Sequence, residues 1–336
     1  MKKRLLGSTN LWVSELGFGG IPLQKVNEEK AINIFETLVA NNINFIDTAK
    51  VYGASEELIG QAMEAVGREH FVVATKAPET DYQGMWDSIK NSLSKLKVKY
   101  IDLYQLHNVR TEEKLEEVLS ENGALRALKE AKEKGLIRHI GITSHSLDIL
   151  NKVIEMDIFE TIQYPYNFVE RQGEELFKRA AKKHVGVICM KPMAGGAIDR
   201  KDLSLRYILQ NKDITVAIPG MGATQEVIEN VQAVTVDNIM TVDEVDCLEK
   251  EAKELGAQFC RRCGYCAPCP QGIDIPSQFV LVGYYKRYGL KEWGKERYLA
   301  QKVKADACIK CGACEPRCPY NLPIRNMLED VVKTFK

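Results

Sequence analysis

The chain has 336 residues, 45% of them hydrophobic, with 46 Lys+Arg against 46 Asp+Glu. That length fits one large domain or two, and the composition buries a sizeable core rather than leaving a disordered chain. Balanced charge leaves no basic footprint for nucleic acid and no polybasic pull toward a membrane; no run approaches the roughly 20 apolar residues of a membrane span. The start, MKKRLLGSTNLWVSELG, has no apolar run suited to a signal peptide, so a cytoplasmic protein is expected.

In chain order, residues 2–14 read as two short strands joined at 7–10. Eight apolar runs follow: LGFGG (16–20), FIDTA (45–49), FVVATK (71–76), YIDLYQLH (100–107), HIGITS (139–144), TIQYPYN (161–167), VGVICMKP (185–192) and TVAIPG (215–220). Each precedes an amphipathic stretch, near 28–40, 55–66, 84–96, 121–134, 146–156, 172–184, 203–211 and 224–234. The segment EEKLEE at 112–117 reads as solvated charge. Nearly continuous apolar strands are those of a parallel sheet covered on both faces. Eight such βα units predict an α/β fold, a (β/α)8 TIM barrel, typically about 250 residues. The rival is a doubly wound sheet, which normally carries G-x-G-x-x-G after an early strand; LGFGGIP lacks it. A further helix near 242–255 bridges to the tail, and the domains are expected at 1–255 and 256–336.

In a barrel the chemistry stands at the C-terminal strand ends. Asp47, Lys76 and His107 end successive strands, and Tyr52 follows Asp47 closely. Each alone is most simply a structural residue. Together they make one device: an ammonium beside a phenol favours the phenolate, an aspartate holds the lysine, and a histidine orients a carbonyl oxygen. Such a tuned acid suits carbonyl reduction by hydride.

FIDTAKVYGASEELIG, VVATK and YIDLYQLH, then IRHIGITS, resemble the aldo-keto reductases over about residues 3–235. The resemblance implies a (β/α)8 barrel that binds an extended nicotinamide dinucleotide, with Asp47, Tyr52, Lys76 and His107 as catalytic tetrad and Tyr52 as proton donor. It places Thr143-Ser144 where the family commonly has Ser-Asn at the nicotinamide amide, and Gln163 as the amide-binding glutamine. Met190 stands where the family often stacks a tyrosine or tryptophan. Gly220, Met221 and Gly222 resemble the phosphate loop, with Glu229 and Asn230 at adenine-holding positions. Glu226 replaces an arginine common in NADPH-dependent members. A carboxylate there repels a 2′-phosphate and accepts from a ribose hydroxyl, so of NAD(H) and NADP(H) the reduced cofactor NADH is favoured; the plainer alternative is that Glu226 faces water.

Ten cysteines are present, and eight lie in residues 260–336. The first run, CRRCGYCAPCP, holds Cys260, Cys263, Cys266 and Cys269; the second, CIKCGACEPRCP, holds Cys308, Cys311, Cys314 and Cys318. The second is the bacterial [4Fe–4S] spacing C-x2-C-x2-C-x3-C-P, whereas zinc expects C-x2-C pairs separated by a longer loop. The intervening residues look helical, and the tail resembles helical dicluster ferredoxin modules. In two-cluster ferredoxins the fourth cysteine of each run serves the other cluster. That groups Cys260, Cys263 and Cys266 with Cys318, and Cys308, Cys311 and Cys314 with Cys269. The first run has two residues, not three, before its last cysteine, so one cluster is the alternative to two. Cys189 and Cys247 read as packing residues.

The chain thus resembles an aldo-keto reductase with a C-terminal ferredoxin-like iron–sulfur domain. It is expected to pass hydride between NAD(P)H and a small carbonyl or alcohol, with clusters for electron relay to a protein partner or for structure. The alternative is a non-catalytic redox sensor or electron-transfer adaptor in which the barrel docks a partner.

Overall fold

A computed structural model of the chain describes residues 1–235 and 240–336. They form two compact units: Met1–Asn167 with Arg171–Pro192 and Lys201–Met240, and Phe168–Glu170 with Met193–Arg200 and Thr241–Lys336.

The first unit opens with an antiparallel hairpin, β1 (Lys3–Leu5) and β2 (Trp12–Ser14). Eight strands follow: β3 (Phe18–Gly19), β4 (Phe45–Asp47), β5 (Val72–Ala77), β6 (Ile101–Leu106), β7 (Ile137–Thr143), β8 (Thr161–Pro165), β9 (Gly186–Met190) and β10 (Val216–Ala217). Each pairs in parallel with the next. The ring closes where the Gly17 and Gly19 amides donate to the Ala217 and Pro219 carbonyls, both at 2.8 Å. All eight expected strands are present, and the sheet is the barrel rather than the doubly wound alternative.

Leu6 and Val13 of the hairpin are fully buried against Phe45, Ala74, Leu103, Ile188 and Val216. Phe45 and Val216 are first residues of their strands, so the hairpin closes the N-terminal end. Gly7 makes that approach possible. Its φ is +56°, and a Cβ there would lie 2.3 Å from the Gly186 amide nitrogen, a position open only to glycine.

The outer layer comprises α1 (Glu28–Ala40), α2 (Ser55–Val66), α3 (Tyr82–Lys95), α4 (Glu112–Leu119), α5 (Ala124–Glu133), α6 (Leu147–Val153), α7 (Glu174–Lys182), α8 (Lys201–Gln210) and α9 (Thr224–Thr235). Helix α1 buries Ala31, Ile34, Phe35 and Leu38 on one stripe, and the Asn27 side chain caps it by accepting the Lys30 amide. The charged segment 112–117 is not merely solvated: it forms α4, which Thr111 caps and which buries Leu115 and Val118.

The second unit holds α10 (Val242–Gly256), α11 (Ile275–Lys286), α12 (Lys291–Leu299) and α13 (Ile324–Phe335). A capping box of Thr241 and Glu244 starts α10. Ile273, Leu281, Tyr298, Leu322, Leu328 and Val331 form a core with Cys266 and Cys318. Tyr298 and Phe335 stack within it at 4.2 Å. Among the described residues no helix is long and apolar enough to cross a membrane.

Candidate active site and cysteine cavities

Side chains two apart on a strand face the same way. Phe45, Ala74, Leu103 and Ile188 line the apolar floor of the barrel. Two residues further, the same strands carry Asp47, Lys76, Gln105 and Met190. The floor thus sets the next layer, at the C-terminal mouth.

Lys76 is 1% exposed and Asp47 3%. Lys76 Nζ donates to Asp47 Oδ1 at 2.5 Å and to the Thr48 carbonyl at 2.9 Å. Burial pushes the lysine ammonium below its ordinary range, and the Asp47 carboxylate opposes that push. A buried ion pair is tolerable when hydrogen bonds satisfy both partners, and Asp47 has more than one. Nζ lies 5.4 Å from the centre of the Tyr52 ring, within cation–π reach. The Tyr52 and His107 rings meet edge to face, with centres 6.1 Å apart. The four residues expected from the strand ends therefore stand together: a phenol flanked by a cation and an imidazole.

Sequence reasoning missed Gln105. It is fully buried, and its Nε2 donates to Asp47 Oδ2 at 3.2 Å. Its signal was a polar residue two positions before His107, on the strand face that otherwise carries Ile101 and Leu103. Gln163 Nε2 approaches Asp47 Oδ1 at 3.5 Å, while its buried Oε1 has no hydrogen-bond partner. That orphaned acceptor fits the N–H of a carboxamide, as a bound nicotinamide would offer.

The other expected cofactor positions are more engaged with the chain itself. Thr143 Oγ1 accepts the Asn108 amide at 2.8 Å, and Ser144 Oγ donates to the Val109 carbonyl at 2.5 Å. Both hydroxyls fasten the loop that follows His107. Met190 ends β9 half-buried. Gly220 and Gly222 lie close on Pro22, where an added Cβ would meet the ring at 3.0 and 3.1 Å. The Met221 amide points to the Gly19 carbonyl, and the Gly222 amide donates to Glu226 Oε2 at 2.7 Å. Glu226 thus folds back onto the loop rather than facing water. Glu229 accepts from Gln225 at the surface, and Asn230 is buried.

In the second unit the cysteines surround two cavities. Cys260, Cys263, Cys266 and Cys318 line one; Cys269, Cys308, Cys311 and Cys314 line the other. The thiols gather in the same crossed sets that the resemblance to two-cluster ferredoxins implies. The shorter first run still repeats the turn of the second: Arg262 and Lys310 have φ of +61° and +57°, Gly264 and Gly312 of +85° and +77°. Burial pushes the Cys266 thiol up to about 12 and the Cys260 thiol up to about 11. Thiolates there need a positively charged group to form. Among the described residues no three His, Cys, Asp or Glu side chains converge on one ion. Four thiols around a cavity are the donor set that a [4Fe–4S] cluster takes.

The aldo/keto reductase family model matches residues 15–204, and that of a 4Fe-4S dicluster domain matches residues 259–323. The uncharacterized oxidoreductase YqkF of Bacillus subtilis is 27% identical over 308 residues, covering 76% of this chain and 97% of its own. L-galactose dehydrogenase of Arabidopsis thaliana is 30% identical over 302 residues, covering 74% and 93%. Among solved structures, the holo form of an aldo-keto reductase from Bacillus halodurans superposes with a TM-score of 0.65 at 27% identity. It covers 75% of this chain and 96% of its own.

Proposed function

The chain belongs to the aldo/keto reductase family of oxidoreductases and carries a 4Fe-4S dicluster domain; we propose that it transfers hydride between a nicotinamide dinucleotide and a small carbonyl or alcohol. The observation that carries this reading is the Lys76 ammonium, held on Asp47 at 2.5 Å and set 5.4 Å from the Tyr52 ring. A phenol has a pKa near ~10 and is a poor acid at neutral pH; the cation beside Tyr52 favours its phenolate and brings the proton within reach.

In the reducing direction Tyr52 gives its phenolic proton to the substrate oxygen. His107 orients that oxygen by a hydrogen bond. Lys76 steadies the phenolate left behind, and Asp47, braced by Gln105 and Gln163, keeps Lys76 in place. The dinucleotide, when bound, supplies the hydride that reaches the carbonyl carbon. Gln163 Oε1, and with it Thr143, Ser144 and Met190, would hold the nicotinamide end. Gly220, Met221, Gly222, Glu229 and Asn230 would hold the far end. A carboxylate at Glu226 favours NADH, since a 2′-phosphate meets a like charge there. The relative that acts as an L-galactose dehydrogenase supports a polar alcohol or carbonyl as the substrate class.

We also read the cysteine cavities as two [4Fe–4S] sites with the crossed ligand sets. Hydride moves two electrons and a cluster one, and no role given to the tetrad requires iron. The clusters serve either a relay to an electron-transfer partner, with the exposed Cys311 at the edge nearest solvent, or the structure of the tail. The complete tetrad favours turnover over a non-catalytic adaptor. Anaerobic protein screened against aldehydes, ketones and sugars with both nicotinamides tests the reading. Saturable turnover supports it, and nicotinamide binding with no turnover of any carbonyl or alcohol leaves the adaptor.

A further inference from the structure

The two cysteine runs share a turn but not an electrical environment. Each C-x-x-C begins with a cysteine followed, two residues on, by a cation at positive φ: Arg262 in the first, Lys310 in the second. Lys310 reaches into solvent, 65% exposed, and pairs with the half-exposed Glu329 at 2.6 Å. Water and salt screen a charge so placed. Arg262 is only 7% exposed, and its guanidinium pairs with Glu170, which is fully buried. The Arg262 backbone amide donates to Cys260 Sγ at 3.4 Å, and Nη1 donates to the Cys260 carbonyl at 3.2 Å. A buried cation is therefore fixed at one ligand of the first cavity, with a buried counter-charge beside it.

We propose that the Arg262–Glu170 pair tunes the reduction potential of the cluster held by Cys260, Cys263, Cys266 and Cys318 and leaves that of the cluster held by Cys269, Cys308, Cys311 and Cys314 untouched. The inference rests on the two-cluster reading above. Net charge, hydrogen bonds to sulfur and exposure tune cluster potentials. Each cluster takes up one electron and becomes more negative. Burial opposes that gain: Cys266 and Cys318 are 8% exposed, whereas Cys311 is exposed. Arg262 favours it, and Glu170 cancels much of Arg262. The inner cluster thus has the lower potential, and the carboxylate is what keeps it there. An electron passing from the second cluster to the first meets an uphill step whose height Glu170 controls.

The test is stepwise reduction of the full anaerobic chain with dithionite at controlled potential, each step read by its paramagnetic resonance signal. Iron and sulfide are counted first. The wild type is expected to reduce in two steps. Glu170→Gln should raise the lower step and leave the upper one, because Arg262 then acts unopposed. Lys310→Gln should leave both in place. The neutral double variant Glu170→Gln/Arg262→Gln keeps the pair's shape without its charge and should lower the lower step below wild type. It carries the test should Glu170→Gln lose its iron. A lower step unmoved in both variants, or both steps moved equally, overturns the inference. Iron near four per chain overturns the two-cluster reading beneath it, and that count is made before any potential is measured.

Discussion

Glu226 accepts the Gly222 amide at 2.7 Å, so a carboxylate already occupies one donor of the loop expected to receive a phosphate. Glu226→Arg frees that amide and puts a guanidinium in its place, a group suited to phosphate. The ratio of kcat/KM for NADPH over NADH is expected to rise on the order of tenfold, the worth of one charge-assisted contact of about 1.4 kcal/mol. Both cofactors are titrated against both proteins. An unchanged ratio would place Glu226 away from the ribose in the complex.

Tyr52→Phe keeps the ring against His107 and removes the proton donor. Carbonyl reduction is expected to fall by roughly 10²–10⁴-fold, the usual worth of general acid catalysis. Nicotinamide affinity, followed by fluorescence, is expected to stay. A variant with most of its kcat would remove Tyr52 from the acid's role.

Glu160 offers a pH test of barrel stability. Burial pushes its carboxyl up, but His139 Nδ1, the Ile140 amide and Lys132 outweigh this and hold it at about 2. A depressed carboxylate stabilises the fold above its unfolded pKa, and that contribution is lost as pH falls. Glu160→Gln is expected to cost about 1–2 kcal/mol near neutral pH, discounted because the site is partly wet. Its difference from wild type should shrink between pH 4.5 and 2. A constant difference across that window would mean that packing, not charge, is what the substitution removes.

Anaerobic protein is expected to carry close to eight irons per chain, given four cysteines at each of two cavities. Cys311→Ser should bring the count near four and leave the set ending in Cys318 intact. Tightly bound zinc in place of iron and sulfide would remove the redox reading of the tail.

The barrel was legible because parallel strands covered on both faces show as apolar runs, and because polar residues at their C-terminal ends, Asp47, Lys76 and His107, gather at one mouth. The crossed cysteine sets followed from the resemblance of the two runs to two-cluster ferredoxins. Helix α4 was not, because four glutamates in its eight residues hide the buried pair Leu115 and Val118. Nor was the brace of Gln105 on Asp47, since a single glutamine in a strand carries no chemistry by itself. The direction of Glu226 depends on a loop conformation that residue types do not specify. The Arg262–Glu170 pair joins residues 92 apart in the chain, a separation at which local pattern says nothing.

A ring closed by its first and last strands has a consequence for its synthesis. Gly17 and Gly19 leave the ribosome long before Ala217 and Pro219, whose carbonyls their amides finally meet. At about 5–20 residues per second, some 200 residues take roughly 10–40 s. For that interval β3 has an open edge, the kind that recruits other nascent chains. Its two-residue length leaves little for a stranger to pair with, so the shortness of the strand protects the chain while it waits for its own far end.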